Sequence, residues 1–323
     1  MRLCTFSKGI AKTPHLLEFL HATDLVLSPS ARQADDLDLV VGWGRKPNTK
    51  KAMQFAQRHN IPYASLEDGF LRSIGLGSAG PPSLSLVVDK AGIYYDAGQP
   101  SYLEELLNNE EDIFTPALID EATLAIDFIL KHRISKYNGA PEMPARVASA
   151  NRKNILIIDQ VMGDASLTHG APHFSLETMV SAAQDANPNA AIHLKLHPET
   201  IHGFRKGLFT KYRNDPSIQF ISEDYNPLSV IEPMDKVYVA TSQMGFEALM
   251  ASKEDVCFGL PFYAGWGLTD DRIHCSRRTK NRSVEEVFVA AYILYSRYIN
   301  PGLGKRCGVL EALEYLESQS RMQ

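Results

Sequence analysis

The stretch TSQMGFEALM (residues 241–250) follows the apolar run KVYVA and passes through three polar residues before an amphipathic pattern begins. A helix N-terminus carries unpaired N–H groups and a partial positive charge, so a strand–turn–helix of this kind suits an anion such as phosphate. Thr241 and Ser242 add hydroxyl groups, although Ser/Thr at that place also serves as a plain helix cap. HLKLHPET (193–200) ends a strand with Lys195 and His197 on one face, and Pro198 stops the pairing. An imidazole there reaches a phosphate or a ribose; a structural histidine is the bland alternative. IIDQVMGDASLTHG (157–170) leaves another strand as a long polar loop with Asp159, Gln160, Gly163, Asp164 and Ser166. Asp164 follows a glycine, where backbone can pass close to a ligand, or it caps the next helix. SLEDGFLRSIGLG (65–77) groups Glu67, Asp68 and Arg72: two acids for proton transfer and a cation for an anion, or a turn with a local ion pair.

Two glycine-rich loops offer flat faces to a base or a sugar. One is VVGWGRKP (40–47), with Trp43, Arg45 and Lys46; the other is FGLPFYAGWGLTDD (258–271), with Phe262, Tyr263 and Trp266 expected to be exposed. GLGSAG (Gly75, Gly77, Gly80) matches a dinucleotide fingerprint but precedes two prolines instead of a helix, which excludes that use. The aspartates of DDLD (35–38) precede a strand and do not follow one, so no metal–nucleotide site is expected.

These segments need strands to end beside one another. Short apolar runs alternate with helical patterns in both halves, which predicts parallel sheets covered by helices. In the first half, LSLVVD and GIYYD read as a hairpin. The polar stretch 135–154 interrupts the alternation and divides the chain into 1–150 and 151–323. FRKGLFTKYR, SVEEVFVAAYILYSRYIN and VLEALEYLESQSRM read as helical, the last helices packing back on the first domain. Two doubly wound α/β domains put a cleft between the carboxyl ends of two sheets.

The 323 residues carry a formal net charge of −5, which disfavours a general nucleic-acid partner. One small basic cluster, CSRRTKNR (275–282), has the chemistry to meet a phosphate or an anionic membrane. Four cysteines without CxxC spacing fit a reducing cytoplasm better than a zinc site or disulfide framework. No apolar run is long enough to span a bilayer and the start lacks a signal-peptide core, so membrane contact is expected to be peripheral.

In order, PHLLEFL, GWGRKP, EDGFLRSIGLG, DQVMGDAS, KLHPET, TSQMGFEAL and PFYAGWGLTDD resemble the capsule polysaccharide Kdo transferases of the KpsC type. The resemblance covers nearly the whole chain. It implies GT-B architecture and transfer of Kdo from CMP-β-Kdo, with retention, to a Kdo acceptor on lysophosphatidylglycerol or phosphatidylglycerol. That family usually carries two tandem modules, one β-2,4 and one β-2,7. This chain has the length of one and looks more like the amino-terminal, β-2,4 module. By position, the resemblance makes Asp164 the nucleophile and Glu67 an acceptor-side acid/base. Gln160, Lys195, His197, Pro198, Thr241, Ser242, Gln243, Gly245 and Glu247 fall on the donor side. Trp43, Arg45, Asp68, Arg72, Trp266 and Arg278 are left for the acceptor or the sugar acid, with Lys195, Arg72 and Arg278 as cations for the Kdo carboxylate. It further implies no metal or other cofactor, a cytoplasmic location with peripheral attachment to the inner membrane and capsule assembly proteins, and domain closure that gates turnover. An inverting transferase using CMP-sialic acid or a UDP-sugar, and a scaffold that only binds CMP or polysaccharide, are the competing expectations.

Overall fold

The computed structural model describes residues 1–76, 82–109 and 113–321. The strands are β1 (Arg2–Thr5), β2 (Asp24–Leu27), β3 (Leu39–Trp43), β4 (Tyr63–Asp68), β5 (Ser73–Ile74), β6 (Ser85–Asp89), β7 (Tyr137–Asn138), β8 (Asn154–Ile158), β9 (Ala191–Lys195), β10 (Ile218–Ile221), β11 (Lys236–Val239), β12 (Glu254–Cys257), β13 (Asp270–Asp271), β14 (Ser296–Asn300) and β15 (Lys305–Cys307).

The second sheet runs β10-β9-β8-β11-β12-β13, parallel throughout. Counted from β8, this is the order 3-2-1-4-5-6 of a dinucleotide-type fold, whose strand order reverses between β8 and β11. Strands β8 and β9 are buried along their whole length, as continuous apolar runs require when helices cover both faces. The first sheet runs β15-β14-β6-β4-β3-β1-β2. Strands β1 to β4 pair in parallel, but β6, β14 and β15 pair antiparallel.

Three local expectations are corrected. GIYYD is not the return strand of a hairpin; β6 instead pairs with β4 and with β14, which lies near the other end of the chain. SRYIN is not helical: after the helix Val284–Phe288 and the π-helix Val289–Tyr295 the chain straightens into β14, so the last strands, as well as the last helix, return to the first sheet. FRKGLFTKYR forms only the single turn Phe209–Tyr212, because Gly207 and the spread-out charges sustain no apolar stripe. Of the GLGSAG glycines, Gly77 and Gly80 lie outside the described residues.

One apolar core continues from sheet to sheet. Phe70, Leu71 and Val87 of the first domain belong to the same buried cluster as Ile158, Val237, Phe246 and Trp266 of the second, and Tyr292 is stacked with Phe70 at 5.1 Å between ring centroids. Arg277 Nε and Arg278 Nε reach Glu104 at 2.6 and 3.2 Å, tying residues far apart in sequence. Gln243 Nε2 donates to the Phe70 carbonyl at 2.9 Å. Hinged domain motion is the default where an interface is small and polar. Here a shared apolar core and these polar pairs join the two domains.

Candidate active site

Three strand exits of the second sheet meet at its reversal point, and each starts with a capping residue. After β8, Gly163 (φ 73°) lets the chain turn, and Asp164 caps the helix Ala165–Gly170. Its Oδ1 accepts from the Ser166 N–H at 2.8 Å and from Ser166 Oγ at 3.0 Å. After β9, His197 caps Pro198–Ile201, its Nδ1 accepting from the Glu199 N–H at 3.1 Å. That bond assigns the proton of the neutral ring to Nε2, leaving an N–H for a ligand. Burial lowers the His197 pKa, which favours the neutral form. After β11, Ser242 caps Gln243–Met250, its Oγ accepting from the Met244 N–H at 3.2 Å.

A polar network links these exits. Gln160 Oε1 accepts from the Thr241 N–H at 2.8 Å, and Gln160 Nε2 donates to Thr241 Oγ1 at 2.9 Å. Ser166 Oγ lies 2.9 Å from Thr241 Oγ1, so Asp164 is two hydrogen bonds from the Thr241–Ser242 turn. Gln160 is buried and braces this turn from behind. Underneath, Asp159 accepts from the Leu208 N–H at 3.0 Å and the His197 N–H at 3.4 Å; burial pushes its pKa up to about 6. Gly245 packs so closely that a Cβ would collide with the Tyr263 hydroxyl and the Asp255 carboxylate. That hydroxyl donates to the Ser242 carbonyl at 2.5 Å and fixes the cap.

The first domain supplies a wall of charges. Glu67 Oε1 accepts from Trp43 Nε1 at 2.7 Å. Burial raises the Glu67 pKa, and the neighbouring Asp68 raises it further; Lys136 and the Trp43 bond work the other way. Asp68 pairs with Arg72 at 2.7 Å. Arg45 Nε pairs with Asp96 at 2.6 Å and its N–H donates to the Tyr95 hydroxyl at 2.9 Å, which anchors the loop holding Trp43 and Lys46. Lys136 is a residue the sequence analysis missed, hidden in the polar stretch assigned to a linker. Its carbonyl accepts from the Arg72 and Ser73 N–H groups at 3.0 and 3.3 Å. Burial opposes its charge, while Tyr94, Tyr137, Asp68 and Glu67 act the other way and raise its pKa. No spacing or composition signal marks it, because apart from its neighbour Tyr137 its partners are distant in sequence.

Two donor-side candidates are sealed. Lys195 is 2% exposed and Glu247 1% exposed; Ser135 Oγ donates to Glu247 Oε1 at 2.6 Å. Lys195 Nζ and Glu247 Oε2 have no hydrogen-bond partner among the described residues. Burial lowers the Lys195 pKa against Asp224 and Glu247, and raises that of Glu247 to about 7. Trp266 is corrected outright: its ring is fully buried, its Nε1 donates to the Phe262 carbonyl at 2.9 Å, and Phe262 and Tyr263 are core residues beside it. Arg278 is corrected as well. Its guanidinium is occupied by Glu104 and by the carbonyls of Pro261 and Ala264, which makes it a strut between the domains. Among the described residues, no group of three His, Cys, Asp or Glu is placed to hold a metal.

A rim of helix caps, together with half-buried carboxylates and a lysine on the first domain, has the chemistry to grip a phosphate, present a carboxylate nucleophile and move a proton. Known proteins share the whole frame. KpsC of Thermosulfurimonas dismutans, described as a β-Kdo 2,4 transferase, superposes with a TM-score of 0.92 at 44% identity over 98% of each chain. The β-Kdo 2,7 transferase of the same organism's KpsC superposes at 0.72 with 28% identity, over 98% of this chain and 99% of that one. The capsule polysaccharide modification protein LipA of Neisseria meningitidis serogroup B is 41% identical over 98% of this chain, which spans only 45% of LipA. LpsZ of Rhizobium meliloti, a lipopolysaccharide-processing protein, is 39% identical over 84% of the chain and 62% of its own length. Residues 38–300 match the capsule polysaccharide biosynthesis protein family, and the chain belongs to it.

Proposed function

We propose that this chain is a retaining β-Kdo transferase that moves Kdo from CMP-β-Kdo onto a lipid-linked Kdo acceptor, forming the β-2,4 linkage of a capsule anchor. The observation that carries this is the 44% identity through 98% of both chains with a β-Kdo 2,4 transferase, against 28% with the 2,7 form. The site geometry suits the chemistry. One Asp164 oxygen is held by Ser166, and the other is left for the anomeric carbon. Attack forms an Asp164–Kdo ester and breaks the bond from that carbon to the phosphate oxygen, releasing CMP with inversion. The departing phosphate gains charge beside the Ser242–Gln243 helix terminus and the His197 Nε2–H, donors already in place and in need of no reorganisation. The acceptor hydroxyl then displaces Asp164 with a second inversion and gives its proton to Glu67, whose raised pKa suits a base.

Kdo carries a carboxylate on the reacting carbon, which repels an incoming aspartate. A cation must offset that charge. Lys136 fills this role from the first domain; Lys195, expected to share it, is sealed at the end of β9. Arg72 is paired with Asp68 and supports the wall.

Intact-mass measurement of the chain with CMP-Kdo tests the mechanism. A covalent Kdo adduct that disappears in Asp164→Ala is expected. A product of inverted configuration by NMR overturns it, and tight CMP binding without turnover would leave only a scaffold. The same spectrum of product made on a mono-Kdo acceptor reports the linkage.

A further inference from the structure

Met162 and Phe204 are 59% and 60% exposed, high values for large apolar side chains in this fold. They stand on two loops stitched into one lip. Val161 and Gly207 form an antiparallel bridge, the Met162 N–H donates to the Lys206 carbonyl at 3.0 Å, and Arg205 Nη2 donates to the Met162 carbonyl at 2.6 Å. The lip begins two residues from Asp164, at the mouth of the site. Residues 203–214 hold four Lys/Arg and no Asp/Glu, in a chain whose net charge is −5. Arg205, Lys206, Lys211 and Arg213 are all exposed, with Arg205 paired to Glu199 and Lys211 to Glu177. The other basic cluster is spent inward: Arg277, Arg278 and Arg282 bind Glu104, Glu286 and backbone carbonyls.

We propose that this lip is a docking surface for an anionic lipid bilayer. Apolar tips flanked by cations match a membrane interface: rings and thioethers enter the acyl boundary while lysine and arginine remain at the headgroups. Two separate protruding tips fit a deformable layer better than a flat protein face. Because the lip is hydrogen-bonded to the loop that carries Asp164, docking turns the cleft mouth toward the headgroup layer, where a lipid-linked acceptor is presented. That last consequence rests on the transferase function proposed above; the docking itself does not.

Co-sedimentation of the whole chain with vesicles tests it. Vesicles of mixed phosphatidylglycerol and phosphatidylcholine should bind and should release the chain at high salt, whereas pure phosphatidylcholine should not bind. The double substitutions Met162→Ser with Phe204→Ser, and Lys206→Glu with Arg213→Glu, should each weaken partition about tenfold. Turnover on a water-soluble mono-Kdo acceptor should change by less than about twofold. Phe204→Trp, which keeps a large aromatic ring at an exposed tip, should show a blue-shifted emission on anionic vesicles beyond any shift of the parent. Equal partition of parent and variants, no preference for anionic lipid, or a Phe204→Trp emission that does not move would each overturn the proposal. Vesicle binding without turnover on any Kdo acceptor would instead remove the transferase function and leave the lip standing.

Discussion

The two sides of the cleft are made differently. On the second-domain rim, Asp164, His197 and Ser242 each follow a parallel strand and cap a helix, so their positions follow from local chain geometry. On the first-domain wall, Glu67, Asp68 and Lys136 come from the end of β4 and from a loop near β7, and no helix terminus holds them. The ionisation of Glu67 and of Lys136 is set by burial and by neighbouring charges. In the proposed reaction His197 and the Ser242 helix end offer oriented donors to an arriving phosphate, whereas the wall offers charges whose balance shifts when any one is removed. Donor binding then tolerates single changes better than proton transfer does. A cap contributes about 1 kcal/mol, whereas an unpaired buried charge costs several times that.

Four measurements sharpen or break this contrast. Asp164→Asn keeps an oxygen for the cap and removes the nucleophile, so transfer should fall by about a thousandfold or more with the melting temperature nearly unchanged. A rate within about tenfold of the parent would show that the rim only binds. Lys136→Met should lower kcat by about a hundredfold. Because Lys136 pulls the Glu67 pKa down, its loss should also move the acid limb of the pH–rate profile to higher pH. A lower rate with an unmoved limb would mean that the lysine acts on substrate alone.

The third measurement separates scaffold from site. Arg278→Met leaves Glu104 to Arg277 alone and strips the Pro261 and Ala264 carbonyls of their donor, and should cost about 2 kcal/mol in denaturant unfolding, with KM for the donor unchanged. The fourth and smallest concerns the support under the rim. Burial raises the Asp255 pKa from 3.8 to about 8, so the folded state holds this proton more tightly than the unfolded chain does. Its contribution is fully present below the unfolded value and is lost as pH rises toward 8. Glu247 and Asp159, raised by burial to about 7 and about 6, act in the same sense. Asp255→Asn should therefore flatten the fall in stability between about pH 4 and about pH 8, recovering roughly 2 °C in Tm at about pH 8.5. An unchanged slope would assign that loss to other groups.

The rim was legible because each βα exit writes a local signature: an apolar run, then Asp, His or Ser, then a helix. At the Asp164 and Ser242 exits capping competes with ligand binding as a reading, and at His197 a structural role does, yet capping is what holds all three side chains still. Aromatic residues on glycine loops misled, because Gly265 and Gly267 (both φ 83°) fold the loop back so that Trp266 is buried. The polar stretch before β8 looked like a linker because its apolar content is low, but two of its residues, Ser135 and Lys136, close the cleft wall.

By itself the sequence determined the parallel strand–helix alternation, the capped exits and the family, since periodicity and short motifs depend on neighbours a few positions apart. Only the tertiary structure decided which charges face each other. It buried Arg278 as a strut, sealed Lys195 and Glu247, brought Lys136 to Glu67 and returned the last strands to the first sheet. The physical reason is that desolvation and long-range pairing depend on distance in space, which the order of residues along the chain does not record.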